Sequence, residues 1–284
     1  MTADLTGATV ATALRAEGRA ALALVTESRG STPRAAGAAM LVTEGAARGT
    51  IGGGRVEHEA MAAARALLAE PAPEPREIAF PLGPALDQCC GGALRVALAP
   101  LTAADADRFE TGAAALWPNG PIFRDPPPPR PALVYGAGHV GAALIRALAP
   151  LPFSLRWIDA RAGALAEAPQ GVAVVETPLP EAEAAAAPPG ALHVILTHSH
   201  ALDLEIVAAA LTSRPGFVGL IGSATKRATF ARKLRGRGVD PAGLTCPIGL
   251  PRLRDKRPAV IAATTAAQLL EREAALAAAE GRAA

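Results

Sequence analysis

Two adjacent cysteines are the most chemically distinctive feature of the sequence. Cys89 and Cys90 lie in the run Asp-Gln-Cys-Cys-Gly-Gly, where a polar pair and a glycine pair flank the thiols. A thiolate is a soft ligand for a thiophilic metal, whereas a zinc site would need further Cys or His at regular spacing. Only Cys246 remains elsewhere in the chain. The pair therefore predicts a reactive thiol or a single metal contact, with a small buried apolar pair as the alternative.

A glycine-rich turn is the second candidate site. Gly136, Gly138 and Gly141 follow an apolar run and open a helical pattern. In that context G-x-G-x-x-G receives the diphosphate of a dinucleotide on free N–H groups at the helix start. Asp159 ends the next predicted strand, where a carboxylate binds a ribose diol. The turn predicts a nucleotide site in a Rossmann crevice; a Rossmann scaffold that has lost its ligand is the alternative.

A histidine motif follows the fourth predicted strand of the same half. His198 and His200 resemble half of a His-x-His-x-Asp-His zinc signature. Asp203, however, lies three residues past His200 instead of two, and Leu204 stands where the next histidine belongs. We therefore expect the histidines to line the crevice and Asp203 to start or cap the next helix. A zinc hydrolase is the weaker alternative.

A third loop of this half begins at Ser223, which we predict to be the N-cap of a helix. Lys226 and Arg227 fall in the first turn of that helix, where positive charge opposes the helix dipole. The pattern indicates a nearby anion or acidic partner; a solvated basic face is the alternative.

Two loops of the N-terminal half combine flexible backbone with arginine. The run 27–34 joins small polar residues to Arg29 and Arg34. Gly52, Gly53 and Gly54 precede a predicted helix that carries Glu57 and His58. Successive glycines permit close approach of a ligand, and their N–H groups can form an anion nest.

The elements that position these loops fall into two halves. Four consecutive prolines interrupt the chain at 126–129, and such a run behaves as a stiff spacer. After it, short apolar strands alternate with amphipathic helices, which predicts a parallel sheet covered on both faces. We expect an α/β protein with a mixed α+β domain at 1–120, a Pro-rich linker at 121–131 and a Rossmann-type domain at 132–284.

Apolar periodicity gives the individual elements. In the first half it predicts helices at 7–17, 56–69 and 103–115 and strands at 20–26, 38–43, 47–51, 77–80 and 93–98. In the second half it predicts strands at 132–135, 155–158, 172–175, 192–196 and 217–221 and helices at 140–149, 202–212, 225–235 and 259–278.

Composition excludes several classes of function. The net charge of +2 is too mild for a nucleic-acid-binding protein. No apolar run approaches the ~20 residues that span a bilayer, so we expect no membrane association. The N-terminus lacks the basic and apolar regions of a signal peptide. We therefore expect a cytoplasmic location and reduced cysteines, because an odd count of three argues against a disulfide framework.

Nine short segments, taken together, resemble the XdhC/CoxI family of accessory proteins for molybdenum hydroxylases, most closely the branch that serves xanthine dehydrogenase. In chain order these segments are 27–34, 49–54, 82–84, 88–92, 134–141, 196–203, 219–223, 246–250 and, more loosely, 256–261. Each segment is short, but their joint occurrence in this order is specific.

The resemblance implies a cofactor chaperone rather than an enzyme. Such proteins bind the molybdopterin-type molybdenum cofactor, protect it, assist its sulfuration by a cysteine desulfurase and deliver it to the molybdenum subunit of apo xanthine dehydrogenase. Cofactor-synthesis proteins are further implied partners, and homo-oligomerisation is left open. Taking the loops described above together with this resemblance, we expect the cofactor-binding residues to be Gln88, Cys89, Cys90, Gly52, Gly53, Gly54, Arg34, Gly136, Gly138, Gly141, Asp159, His198, His200 and Ser223.

Two points stay open at this stage. Either Cys89 or Cys90 would contact the molybdenum, and the sequence does not distinguish them. An NAD(P)-dependent oxidoreductase, with His198 or His200 as acid or base, is the alternative function, and a nucleotide such as NAD in the Rossmann crevice is compatible with both functions.

Overall fold

The chain divides into two compact units, 1–127 and 128–284. The structure is a computed structural model that describes residues 5–81, 92–250, 252–253 and 255–280. Three of the candidate site residues, Gln88, Cys89 and Cys90, lie outside these described residues. None of the helices in the described ranges is long and apolar enough to cross a membrane.

An antiparallel five-stranded sheet forms the centre of the N-terminal unit, in the order β3-β2-β1-β5-β4. The strands are β1 (Arg19–Arg29), β2 (Ala39–Val42), β3 (Ala47–Gly49), β4 (Arg76–Pro81) and β5 (Ala93–Thr102). Helices α1 (Gly7–Glu17) and α2 (Gly54–Ala69) cover opposite faces. Because side chains alternate along a strand, Leu22 packs with α1 and Ala21 packs with α2, which explains the continuous apolar run of β1.

A six-stranded parallel sheet forms the centre of the C-terminal unit. The strands are β8 (Arg130–Tyr135), β9 (Phe153–Asp159), β10 (Ala173–Glu176), β11 (Leu192–Ile195), β12 (Phe217–Leu220) and β13 (Leu244–Thr245). Their order, β10-β9-β8-β11-β12-β13, is the 3-2-1-4-5-6 arrangement of a Rossmann fold. The strand order reverses between β8 and β11, and ligands bind outside the carboxyl ends of the strands at such a point.

Helices cover both faces of the parallel sheet. One face packs against α4 (His139–Leu148) and α8 (Pro258–Glu280). The other packs against α5 (Pro180–Ala185), α6 (His200–Thr212) and α7 (Ala224–Arg235). The predicted fold class, a mixed N-terminal half followed by a Rossmann-type parallel sheet, is confirmed.

The main difference from the predicted elements lies before the proline run. The helix predicted at 103–115 is wrong beyond Phe109: a 3-10 turn (Ala103–Asp105) leads into the short α3 (Ala106–Phe109), and β6 (Ala113–Ala115) follows. Gly112 adopts a φ of 77°, which ends the helix, and β6 pairs with β7 (Ile122–Arg124). Since β7 spans 122–124 and β8 begins at 130, residues 121 and 125–129 of the range predicted as a linker are without regular structure.

A buried polar pair interrupts the apolar core of the C-terminal unit. His193 on β11 is fully buried, and its Nδ1 lies 3.0 Å from the hydroxyl oxygen of Tyr135. Within the described residues its Nε2 has no hydrogen-bond partner. Burial lowers the pKa of His193 to about 4 and raises that of Tyr135. The imidazole is therefore neutral in the folded protein, and protonating it opposes folding.

We expect the C-terminal unit to lose up to about 3 kcal/mol of unfolding free energy as the pH falls from 6.5 to about 4. The unfolding free energy falls with falling pH because the unfolded chain binds the proton more tightly than the folded one. The stability contributed by the neutral His193 is therefore fully present above pH 6.5. The measurement is urea denaturation of His193→Gln and of wild type across this pH range. Both carry Trp117→Phe, so that the fluorescence of Trp157 reports unfolding of the C-terminal unit.

The exposed His198 provides the control, since His198→Gln should retain the wild-type pH dependence. Identical pH dependence of His193→Gln and wild type would contradict the assignment.

Candidate functional site

The motif loops of the N-terminal unit meet at one end of its sheet. β1 ends at Arg29 opposite Ala93, and β4 ends at Pro81 opposite the same residue. Residues 82–91, here termed the cysteine segment, lie outside the described residues. The described residues on either side of this segment, Pro81 and Gly92, lie at this end of the sheet. A Cβ on Gly92 would lie 2.4 Å from the carbonyl oxygen of Ser31. The 29–34 loop therefore packs against the residue that follows the cysteine segment.

The glycine loop packs against the same 29–34 loop. A Cβ on Gly52 would lie 2.6 Å from the ring of Pro33 and 3.4 Å from Cγ of Arg34, so no side chain fits there. The φ of 127° at Gly52 also favours glycine. Arg34 in turn lines a cleft of about 310 Å³ together with residues 35–39 and 124–127. Arg34 and Gly52, predicted separately, are thus brought together.

The predicted anion nest already holds an anion from the protein itself. Oε2 of Glu57 accepts hydrogen bonds from the backbone N–H groups of Ile51 at 2.9 Å and Gly53 at 3.1 Å, and from the Thr50 hydroxyl. Burial opposes the charge, but the hydrogen bonds from Thr50 and from the glycine backbone outweigh it and lower the pKa of Glu57. The predicted use of these amides for a cofactor phosphate thus competes with Glu57.

Removing the Glu57 carboxylate should destabilise the N-terminal unit. We expect Glu57→Ala to lower its unfolding free energy by about 2 kcal/mol, because the loop N–H groups lose a charged acceptor. The matched control is Glu59→Ala, which removes a carboxylate paired with the half-exposed Arg55 and should cost less than about 1 kcal/mol. Urea denaturation followed by Trp117 in a Trp157→Phe background measures both, and equal losses would refute the role of Glu57.

The glycine turn of the C-terminal unit has two glycines that the fold requires and one that it does not. A Cβ on Gly136 would lie 2.4 Å from the Leu196 carbonyl oxygen, and one on Gly141 would lie 2.0 Å from the Gly136 carbonyl oxygen. By contrast, a Cβ on Gly138 would meet nothing within 4 Å, and its φ of −77° suits any residue. The space beside Gly138 is therefore open for a ligand.

Asp159 stands where the sequence placed it, at the end of β9, but its carboxylate is fully engaged. Oδ1 accepts from the backbone N–H and from Nε of Arg161, both at 2.9 Å. Oδ2 accepts from the Ala137 N–H at 2.6 Å and from Nη2 of Arg161 at 2.9 Å. Burial disfavours the charge, yet these bonds outweigh it and lower the pKa of Asp159. Asp159 thus fixes the glycine turn.

The two histidines of the motif take different positions. His198 lines a small cleft with Asp159, Pro180 and Leu202, whereas His200 is the exposed first residue of α6. Ser199 is the N-cap of this helix. In the described ranges, no three His, Cys, Asp or Glu side chains are grouped to hold a metal ion. This part of the chain therefore offers no ligand set for the zinc-hydrolase alternative.

Asp203 and Lys226 form a buried ion pair between α6 and α7. Nζ of Lys226 lies 2.7 Å from Oδ2 of Asp203, whose side chain is fully buried, and also donates to the Ile221 carbonyl. The other oxygen of Asp203 accepts from the backbone and hydroxyl of Thr197. Ser223 is the N-cap of α7, as predicted. Asp203 is the acidic partner that Lys226 in the first turn of α7 required.

Breaking this pair should destabilise the C-terminal unit. We expect Lys226→Met to cost about 3 kcal/mol, because it leaves the Asp203 carboxylate buried and uncompensated. The exposed pair of Arg237 and Glu205 supplies the control: Arg237→Met should cost less than about 1 kcal/mol. Urea denaturation followed by Trp157 distinguishes them. Comparable losses in the two variants would show that the buried pair contributes no more than a surface one.

Sequence reasoning missed the roles of two side chains: Glu57, which it named without a role, and Arg161, which it did not name. The signal for Glu57 was its position in the first turn of α2, next to successive free amides. The signal for Arg161 was its spacing of two residues from an acidic strand end, which permits a bidentate pair.

Two family models match this chain, one in each of its two units. The family model described as the XdhC Rossmann domain matches residues 132–269, and the model described as the XdhC and CoxI family matches residues 13–78. YqeB of Escherichia coli K12, described as an uncharacterized protein, is 28% identical over 262 residues, and the match covers 88% of this chain and 43% of YqeB. The chain thus spans less than half the length of that relative.

One solved structure matches both units. It is described as a xanthine dehydrogenase from Bacillus halodurans and superposes with a TM-score of 0.75. The match covers 95% of this chain and 96% of the other, at 20% sequence identity. This likeness shows that the two chains share a fold.

Proposed function

Because the chain belongs to the XdhC and CoxI family, we propose that it is an accessory protein that binds the molybdenum cofactor and acts in the maturation of xanthine dehydrogenase. In this role the cofactor is cargo. The protein protects it, assists its sulfuration by a cysteine desulfurase and delivers it to the molybdenum subunit of apo xanthine dehydrogenase.

The observation that carries the proposal is the gathering of the family motifs at one end of the N-terminal sheet. Gly92, beside the cysteine segment, packs on the 29–34 loop, and Gly52 packs on Pro33 of that loop. The 29–34 loop, the glycine loop and Gly92, which are separated in sequence, therefore converge at this end of the sheet. A fold that needed these residues only for its core would not require arginine and polar side chains at a sheet end.

The chemistry of the converging residues suits the proposed cargo. A thiolate of Cys89 or Cys90 is a soft ligand for molybdenum, and either residue meets this requirement. Arg34, which lines the adjoining cleft, suits the phosphate of the cofactor because a guanidinium binds oxyanions in a bidentate manner. We assign the phosphate to Arg34 rather than to the amides near Gly53, since Glu57 already accepts from those amides.

The alternative of an NAD(P)-dependent oxidoreductase has less support. Its expected ribose acceptor, Asp159, is engaged by Ala137 and Arg161. Of its two expected acid or base residues, His198 lines the cleft beside Asp159, whereas His200 lies outside it. Incubating the purified protein with molybdenum cofactor and measuring whether the cofactor co-purifies tests the accessory function. Failure of the cofactor to co-purify would refute it, whereas co-purified NAD(H) is compatible with both functions.

The proposal predicts that the cysteine pair determines cofactor affinity. We expect Cys89→Ala or Cys90→Ala to weaken binding of molybdenum cofactor about tenfold, which corresponds to about 1.4 kcal/mol, because a soft metal contact is lost. The measurement is cofactor retained after gel filtration, together with circular dichroism to verify the fold.

Cys246 provides the matched control. It is buried in the C-terminal unit, and Cys246→Ala should leave cofactor retention unchanged. Wild-type affinity in Cys89→Ala, in Cys90→Ala and in the double variant would refute the proposed contact. Failure of the loaded wild type to activate apo xanthine dehydrogenase would refute delivery.

A further inference from the structure

The carboxyl end of β9 presents a guanidinium where a nucleotide-binding carboxylate is expected. We infer that the Rossmann crevice binds a nucleotide with a phosphate on its ribose, as in NADP, and that Arg161 makes it discriminate against a free ribose diol, as in NAD. This inference goes beyond the proposed accessory role and does not depend on it, because it concerns a different unit and a different ligand.

The first step is that Asp159 has no acceptor site left for a diol. A carboxylate offers about four lone-pair sites, two on each oxygen. Here each oxygen of Asp159 accepts two hydrogen bonds, three of the four from Arg161 and the fourth from Ala137. With only 3% of its side chain exposed, Asp159 could bind ribose hydroxyls only by giving up bonds from Arg161 or the bond that holds the glycine turn.

The second step is that Arg161 itself remains available to a ligand. Its side chain is 50% exposed, although it is held against Asp159 by two N–H groups of its guanidinium. A guanidinium carries five N–H donors in a planar fork, so three remain. An arginine held in a fixed orientation at the end of the second Rossmann strand is suited to a 2′-phosphate.

The third step is that the rest of the crevice leaves room for the diphosphate of the same ligand. Gly138 precedes the first residue of α4, and nothing lies within 4 Å of the position of its missing Cβ. Ala137, which precedes Gly138, donates its N–H to Asp159, so one short path joins Arg161 to the glycine turn. The acidic Glu176 ends the neighbouring strand β10, and its Oε1 accepts from the Gly163 N–H at 2.8 Å.

The test is isothermal titration of the full-length protein with NADP⁺ and with NAD⁺. We expect NADP⁺ to bind about tenfold more tightly than NAD⁺, because only NADP⁺ places a phosphate against Arg161. In Arg161→Ala this preference should be lost or reversed, since the variant loses the phosphate partner and frees acceptor sites on Asp159.

Two further variants make the outcome decisive. Arg156→Ala removes an arginine of similar exposure on β9, three residues before Asp159 and paired with Glu183, and should leave the preference intact. Gly138→Val should abolish binding of both nucleotides while thermal unfolding stays as in wild type.

Equal affinities for the two nucleotides, binding of neither, an unchanged preference in Arg161→Ala, or full binding in Gly138→Val would each overturn the inference. None of these results bears on retention of the molybdenum cofactor through the cysteine pair, so the two proposals fail separately.

Discussion

Hydrogen bonds from loop backbone to a carboxylate on a neighbouring element hold the functional loops of both units. Glu57 accepts from the glycine loop, Asp159 from Ala137 in the glycine turn and Asp203 from Thr197 in the histidine motif. Loops of this kind carry free N–H groups that no ladder satisfies, and burying them without an acceptor costs free energy. The acceptors that give the loops a fixed shape also reduce what the loops can offer to a ligand.

Under this constraint, some residues of a motif hold its loop in place, and others remain available to bind a ligand. The glycines at 52–54 and the acid at 159 are the most conspicuous residues of their motifs, yet the N–H groups of Gly52 and Gly53 and both oxygens of Asp159 are used within the chain. The adjacent arginines, Arg34 and Arg161, lie in contact with them and line or border the open space. Both of our proposals therefore assign recognition of an anion to side chains, which are longer and more adjustable than backbone amides.

The sequence was sufficient for elements whose pattern is regular and for the fold class. Helix α1 was predicted with its observed bounds, and five of the six parallel strands in the described residues were found because short apolar runs alternate with helices; the two-residue β13 was too short to give such a run. Alanine misled the prediction at 103–115, since it favours a helix wherever packing does not decide, and Gly112 ended the helix early.

The partners within the site were less accessible to sequence reasoning, because they depend on contacts between separate elements. The unfavourable charge of Lys226 at a helix start indicated an acidic partner, but its identity as Asp203, 23 residues earlier, follows only from the way α6 and α7 pack. The full engagement of Asp159 was likewise invisible, since it arises from the conformation of Arg161 rather than from a residue type.

The three glycines of the C-terminal turn are under different kinds of constraint. At Gly136 and Gly141 a side chain would clash with the backbone of the fold itself, so any lineage that keeps the Rossmann unit must keep these glycines. At Gly138 a Cβ would contact nothing in the described chain, so a side chain there would clash only with a bound molecule. Among descendants of this protein, those that no longer bind a ligand in the crevice can therefore accept other residues at position 138 while their folds stay intact. The residue at this position then indicates whether the crevice is still used for binding.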